Sequence, residues 1–354
     1  MNFHERIQAV LHRQRPDRVP FAPYDNLVYR GEFERRLRER GTGLVARRSS
    51  VRSDTPNVRV VRHTDDQVHT TTWSTPAGEV SVRAQVMHDR RDVGGLNNAF
   101  MIKTLADYEP VIFLIDDTVY YPNYSSLTDT VRDLGGDGIV RGRGVQAPYH
   151  ETESLFGIPN WIYEQHDHPE AFERLLAALR RRTDRVLPLI LDAPIEFVDC
   201  GSINGNYGPR QMERFVVPFY KEMVPRLHEA GKICSIHAHS SNLASLKGLV
   251  AELGIDVIEA FTPPPIGDLS VADARAAWGR ETVIWVNFPE TIFWYGPERT
   301  RQYTLDLLRS DPDGPLVIGM TEMGLQGVTD AETEKAFKAG MLAILDAIDE
   351  AGAR

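Results

Sequence analysis

Two histidines separated by one residue are the part of this sequence whose spacing points most directly to chemistry. The segment KICSIHAH is typical of a β-strand, and His237 and His239 lie at its end. Alternate residues of a strand point to the same face, so both imidazoles would project together, with Ser235 below them and Cys234 facing the opposite way. Two neutral imidazoles are half of a ligand set for zinc or another borderline metal. The alternative is that both histidines form hydrogen bonds with substrate or with neighbouring groups, without a metal.

Acidic residues at the ends of other predicted strands could complete such a site. Glu322 follows the last predicted strand and is the candidate for a third metal ligand, although it could also be an ordinary loop or helix-dipole carboxylate. Asp199 and Glu259 end two further predicted strands. Each of them could act as a general base or could orient an imidazole. Together with His237, they form the predicted catalytic set.

Polar side chains at or just after the ends of predicted strands are candidates for substrate binding. The residues concerned are Arg141, Asn204, Asn206, Tyr207 and Asn287. The loop of residues 201–208 has neither the spacing nor the lysine of a phosphate loop, so it either contacts substrate or simply connects a strand to a helix. Arg141, together with Arg143 near the end of a predicted strand, could hold a carboxylate or could be solvated surface.

The order of helices and strands predicts how these residues are brought together. From residue 104 onwards helical and strand patterns alternate, and five strand–helix units follow one another with short connections, which favours a parallel sheet. The sequence contains neither GxGxxG after a strand nor GxxxxGK[ST], so a closed (β/α)₈ TIM-type barrel is favoured over an open nucleotide-binding sheet. In such barrels the active site lies at the carboxyl ends of the strands, where the candidate residues fall.

The remaining segments predict additions to the barrel. Residues 3–11 have helical spacing and predict an N-terminal helical extension outside the barrel, and residues 19–23 predict the first strand. The Val- and Thr-rich residues 57–86, with a Pro-Ala-Gly turn, predict a small antiparallel β-hairpin insertion. A further helix is predicted over residues 117–134. We expect all of residues 1–354 to form one barrel domain.

Composition limits the classes of partner. A net charge of −10 argues against nucleic acid or an anionic membrane surface as a partner. Two cysteines in 354 residues do not make a disulfide framework, which favours a reducing compartment. The sequence shows no signal-peptide pattern and no apolar stretch long enough to cross a bilayer, so we expect a cytoplasmic protein. A homodimer is compatible with a helix-rich barrel exterior, although no apolar stripe compels one.

Three segments resemble the uroporphyrinogen decarboxylase superfamily, which includes zinc-dependent methyltransferases that exchange methyl groups between corrinoid proteins and thiols. They are RIQAVLHRQRPDRVPF, IHAHSSNLASLKGLVAELGIDVIEAFTPPPIGDLSVADARAAWG and PLVIGMTEMG. The resemblance covers most of the chain, and the middle segment is the most specific. It implies a (β/α)₈ barrel with its site at the carboxyl ends of the strands.

The chain departs from that family at two motifs. The arginine-rich RQAGRY stretch of true uroporphyrinogen decarboxylases is missing, since the region reads FAPYDNLVYRGEFERR. The His-x-Cys-Gly motif of the methyltransferases becomes His237-Ala238-His239-Ser240, and their second cysteine falls close to Glu322. By resemblance His237 matches a family ligand, while His239 and Glu322 stand where cysteines are expected. A His/His/carboxylate set is a harder, more Lewis-acidic site that could bind a thiol, polarise an oxygen or activate water.

We therefore predict a metal-dependent methyl or alkyl transferase. Its divalent metal, with zinc as the first candidate, would activate the donor or acceptor heteroatom of a small-molecule substrate. Because no cobalamin-binding sequence occurs in the chain, a corrinoid or corrinoid protein would come from outside. The alternatives are a decarboxylase, another lyase or a hydrolase of a small acid that needs no corrinoid, and a non-catalytic barrel that binds a small ligand or a corrinoid protein.

Overall fold

The chain divides into two compact units. The computed structural model describes residues 1–65, 68–85, 96–203, 206, 208–238, 242–321 and 330–352. The barrel unit consists of Met1–Ser49, Tyr124–Gly144 and Pro194–Arg354. The insert unit consists of Ser50–Asn123 and Val145–Ala193.

Eight parallel strands form the sheet of the barrel unit. They are β1 (Phe21–Pro23), β2 (Leu44–Arg48), β3 (Gly138–Arg143), β4 (Phe197–Ser202), β5 (Ile233–His237), β6 (Val257–Phe261), β7 (Val283–Asn287) and β8 (Leu316–Met320). Each strand from β2 to β7 pairs with the next one along the chain, and β8 pairs with β1. One parallel bridge between Tyr24 and Val45 links β1 to β2, so the barrel is nearly closed. The predicted (β/α)₈ barrel is confirmed.

The strand sequences explain why the barrel strands are buried on both faces. VIEAF, VIWVN and LVIGM are almost uninterrupted apolar runs, and every residue of these three strands is buried. Such runs are typical of parallel strands that are covered on both faces. Inside the barrel, Phe197 and Trp285 stack with ring centroids 5.8 Å apart and an interplanar angle of 3°. The barrel interior is therefore a packed core.

Helices of the barrel unit follow most of its strands. They are Phe3–Leu11, Glu32–Glu39, Tyr124–Leu134, Pro209–Gln211, Val217–Glu229, Leu243–Ala251, Val271–Trp278, Pro297–Ser310 and Ala331–Gly352. A π-helical turn, Met212–Val216, precedes Val217–Glu229. The predicted N-terminal helix is present, and a capping box between Asn2 and Glu5 starts it.

The insert unit contains the predicted antiparallel β-structure. Its four-stranded sheet consists of Arg59–Asp65, Val68–Thr75, Gly78–Gln85 and Leu96–Ala99. The turn between its second and third strands falls at Pro76 and Ala77, within the predicted Pro-Ala-Gly turn. Among its described residues, the same unit has four α-helices: Tyr108–Asp117, Pro148–Phe156, Asn160–Asp167 and Pro169–Leu191.

The prediction of one helix over residues 117–134 is wrong in its first part. A helix ends at Asp117, the strand Val119–Pro122 follows, and a new helix occupies Tyr124–Leu134. The strand pairs in antiparallel fashion with Val51–Asp54. β-Branched and aromatic residues favour a strand here, and Pro122 cannot continue a helix.

Among all the helices that the structure describes, none has both the length and the apolar character needed to cross a membrane.

Candidate functional site

A buried arginine organises the carboxyl end of the barrel. Arg141 of β3 has a side chain that is 1% exposed. Its Nε donates to Ser235 Oγ at 2.9 Å, and its Nη1 donates to the Tyr24 hydroxyl at 2.7 Å. It also forms ion pairs with Asp199 Oδ1 at 2.8 Å and with Glu259 Oε2 at 3.0 Å. Arg141 is therefore not solvated surface, and its charge is neutralised by carboxylates of the protein itself.

Glu259 is held by three donors and stays ionised. The Tyr24 hydroxyl donates to Oε1 at 2.5 Å, and His237 Nδ1 lies 2.6 Å from Oε2, which also faces Arg141. Burial by itself would raise the pKa of Glu259. The charges and hydrogen bonds of Arg141, His237 and Tyr24 have a larger effect and lower the pKa to about 2. The carboxylate can therefore only accept hydrogen bonds at neutral pH.

The protonation of His237 follows from that of Glu259. Because an ionised carboxylate has no proton to give, the hydrogen of the 2.6 Å contact belongs to Nδ1 of His237. In the neutral ring Nε2 is then the acceptor nitrogen, and it is the one that can bind a metal or take up a proton. The side chain of His237 is 12% exposed, so it is not completely enclosed by the described residues. Ser235 contacts the same arginine from the same strand, as the alternation of β5 predicts.

Tyr24 belongs to this cluster, although it was not predicted. It directly follows β1 and is fully buried. Burial raises the pKa of Tyr24 well above its usual value even though Arg141 lies beside it, so the phenol remains a donor to Glu259. The guanidinium of the exposed Arg47 lies 4.3 Å from the centroid of its ring. Its place directly after a strand is the signal by which the sequence could have shown it.

Both carboxylates that contact Arg141 lie beside irregularities in their strands. The pairing of β4 with β5 shifts between Asp199 and Ser202, and the Gly201 N–H donates to Asp199 Oδ1 at 3.1 Å. The pairing of β6 with β7 shifts just beyond Ile258, and Ala260 has a φ of 56°. A left-handed conformation is costly for alanine, and bulges of this kind redirect side chains next to active sites. These irregularities help to aim the two carboxylates at Arg141.

Asn287 joins the chain segments that follow β6 and β8. Its Nδ2 donates to Thr262 Oγ1 at 3.2 Å, and its Oδ1 accepts from the Thr321 N–H at 2.9 Å. The hydroxyl of Thr321 is buried and has no hydrogen-bond partner in the part of the chain that the structure describes. A buried hydroxyl of this kind can receive a polar group of a ligand.

The structure brings together Arg141, Asp199, His237 and Glu259, four of the predicted site residues. Asn206 is exposed in the loop after β4. The predicted ligands His239 and Glu322 and the predicted substrate-binding residues Asn204 and Tyr207 lie outside the described residues.

Comparisons with known proteins give a match at the level of structure. The sequence matches no family model and no curated protein. A methyltransferase from Methanosarcina mazei has a similar structure, with a TM-score of 0.57 and 11% sequence identity over 99% of both chains. At this identity, the likeness shows that the two proteins share a fold.

Proposed function

We propose that this protein is a metal-dependent methyl or alkyl transferase whose metal is held through Nε2 of His237. The contact between His237 Nδ1 and the ionised Glu259 carries the proposal, because it leaves the imidazole in the form that binds metals. The shared fold with a methyltransferase over 99% of both chains supports the type of reaction. The resemblance to the corrinoid-dependent methyltransferases of the uroporphyrinogen decarboxylase superfamily supports it further.

The donor set fits a divalent cation. Histidine ligands of metals usually donate their other ring N–H to a carboxylate or a carbonyl, and His237 has such a partner in Glu259. Two carboxylates, Asp199 and Glu259, face the single guanidinium of Arg141, so the cluster favours a further positive charge. His239 and Glu322 are the further ligands in this proposal, and zinc is the first candidate. When bound, the metal would supply Lewis acidity to the heteroatom that gives or receives the methyl group.

The residues of the chain have separate roles in this proposal. Glu259 fixes the ring of His237, while Arg141 and Tyr24 fix Glu259. Asp199 has a side chain that is 36% exposed, and within the described residues its two hydrogen bonds both go to Oδ1. Its Oδ2 is therefore the atom that can take the proton from a methyl acceptor such as a thiol. Asp199 is the proposed general base, and Glu259, Arg141 and Tyr24 are positioning residues.

The same contacts argue against a lyase acting on a small acid. That alternative relies on Arg141, together with Arg143, to hold the carboxylate of the substrate, but the Arg141 guanidinium is already paired with Asp199 and Glu259. An additional carboxylate would meet two negative charges and one positive charge. A methyl donor that arrives with an external corrinoid, free or carried by a corrinoid protein, places no such demand on Arg141.

Methyl transfer from free methylcobalamin to a thiol tests the proposal. The zinc-reconstituted protein is incubated with methylcobalamin and a series of thiols, and the reaction is followed by the absorbance change of the corrinoid and by mass spectrometry of the thioether. We expect transfer by the wild-type protein and a loss of about 100-fold or more in His237→Ala. The matched control is His166→Ala, whose side chain is 93% exposed. Equal rates in both variants, or no methylated thiol with any acceptor, would contradict the proposal.

A further inference from the structure

A second group of metal-binding side chains lies at the opposite end of β5. His228 is in the last turn of the helix Val217–Glu229, Cys234 is the second residue of β5, and Asp256 directly precedes β6. One possible ligand atom from each residue lies within 4.8 Å of the others, and no other such group occurs among the residues that the structure describes. Cys234 is separated from His237 by about 10 Å along the strand and points to the other face. The group is therefore distinct from the proposed catalytic site.

Asp256 presents one oxygen to the group and keeps the other for an arginine. Its Oδ2 accepts the backbone N–H of Cys234 at 2.8 Å and lies 2.8 Å from His228 Nε2. Its Oδ1 accepts from Arg13 Nη2 at 2.7 Å. Carboxylates that bind metals are commonly held in this way, with hydrogen bonds from outside fixing their orientation. Arg13 thus orients Asp256 through the oxygen that a metal would not use.

Cys234 supplies a sulfur that is protected from solvent. It is fully buried and is not part of a disulfide. The neighbouring Cys200 thiol and burial both raise the pKa of Cys234, so the group is a protonated thiol in the metal-free protein. Metal binding would therefore have to displace a proton. His228 has a side chain that is 41% exposed, which gives an ion a path from solvent.

We propose that His228, Cys234 and Asp256 bind a zinc-type divalent ion through Nε2, Sγ and Oδ2. Nitrogen, sulfur and oxygen ligands of this kind are those preferred by Zn²⁺, and water on the exposed side of His228 would complete a tetrahedral shell. The ion replaces the proton between His228 Nε2 and Asp256 Oδ2, which are 2.8 Å apart. With metal–ligand bonds of about 2.0–2.2 Å these two atoms must separate to roughly 3.4 Å, a small shift for an exposed ring.

Proton release follows from this binding. The Cys234 thiol gives its proton to solvent as the sulfur–metal bond forms. The neutral imidazole of His228 loses the Nε2 proton to solvent and takes one up on Nδ1, so one proton is released for each ion bound. Binding should therefore become tighter as the pH rises. Because the three ligands come from a helix, β5 and the segment before β6, the ion would join these elements and stabilise the barrel unit against unfolding.

Cobalt(II) titration tests the site, because a thiolate ligand gives cobalt an intense near-ultraviolet charge-transfer band that nitrogen and oxygen ligands do not give. The titration uses the His237→Ala variant, so its outcome does not depend on the proposed catalytic metal. We expect the thiolate band to saturate at about one equivalent of Co²⁺ and to disappear when Zn²⁺ is added. The same titration at two pH values should show tighter binding at the higher pH.

Two cysteine variants separate ligation from folding. In the same background, Cys234→Ser should lose the band, while Cys200→Ser, which replaces an equally buried thiol, should keep it. His228→Ala should weaken binding about 10-fold or more. Circular dichroism identifies any variant that fails to fold, and His228→Ala, at an exposed position, then provides the remaining test. Absence of the band in the parent variant, or its persistence in a folded Cys234→Ser protein, would overturn the proposal.

Discussion

His237 and Glu259 lie opposite each other in neighbouring strands, and their side chains meet at 2.6 Å between Nδ1 and Oε2. The pairing of β5 with β6 thus places an imidazole beside a carboxylate that Arg141 and Tyr24 keep ionised. The imidazole is thereby held in one tautomer and one orientation. The proposed chemistry of the site depends on this contact.

Replacing Glu259 by glutamine should weaken metal binding at His237. The amide keeps the shape of the side chain but removes the charge that fixes the Nδ1 proton. We therefore expect the affinity for zinc to fall by about 10- to 100-fold, as it does when other groups that orient histidine ligands are removed. The measurement is competition for zinc with a chromophoric chelator, in a Cys234→Ser background so that only one site is observed. Glu281→Gln, at an exposed position, is the control. Equal affinity in both variants would refute the role given to Glu259.

Removing Arg141 should destabilise the barrel unit strongly. Arg141→Met leaves the buried Glu259 without its cation, and we expect a loss of about 3–5 kcal/mol in the free energy of unfolding, measured with urea. The double variant Arg141→Met/Glu259→Gln should lose less than the sum of the two single variants, because it removes both charges. Arg280→Met, at an exposed position, should change stability little. Additive losses would show that the two side chains are not coupled.

The stability of the wild-type protein should fall at acidic pH partly through Glu259. The pKa of Glu259 is lowered from 4.5 to about 2 in the folded state, so its contribution is fully present above pH 4.5 and is lost as the pH falls towards 2. In this window the loss attributable to Glu259 is about 1.4 kcal/mol for each pH unit. Urea unfolding at several pH values should show a shallower dependence in Glu259→Gln. Parallel curves for the two proteins would contradict the low pKa.

Tyr24→Phe tests the third donor to Glu259. The change removes the hydroxyl that donates to Glu259 and accepts from Arg141, leaving both with one fewer partner in a buried setting. We expect a loss of about 1–3 kcal/mol in the free energy of unfolding. Tyr295→Phe is the control, because Tyr295 is 73% exposed. A Tyr24→Phe protein as stable as this control would show that the hydroxyl is dispensable.

The barrel could be predicted from local sequence patterns, because five successive strand patterns in the second half of the chain are each followed by a helical pattern, whereas β2 was not predicted. The same reasoning placed Asp199, His237 and Glu259 at strand ends. His237 is the last residue of β5, whereas β4 continues to Ser202 and β6 to Phe261. The environment of Arg141 could not be predicted, because its partners Tyr24, Ser235 and Glu259 are about a hundred residues away along the chain. Only the closed pairing of the strands brings them together.

The strand irregularities beside Asp199 and Glu259 were also beyond prediction. Ala260 carries no signal for a positive φ, since alanine rarely adopts it, and the conformation depends on how β6 pairs with β7. The break of the helix after Asp117 was accessible in principle, because Val119, Tyr120 and Tyr121 favour a strand and Pro122 ends it.

The metal content of the purified protein tests the central claim most directly. Elemental mass spectrometry is applied to the Cys234→Ser variant and to the same variant carrying either His237→Ala or the control His166→Ala. The account predicts about one zinc or similar divalent ion per chain in the parent and the control, and loss of that ion with His237→Ala. A parent protein that holds no metal even after reconstitution, or a metal content unchanged by His237→Ala, would contradict the claim that His237 holds a metal.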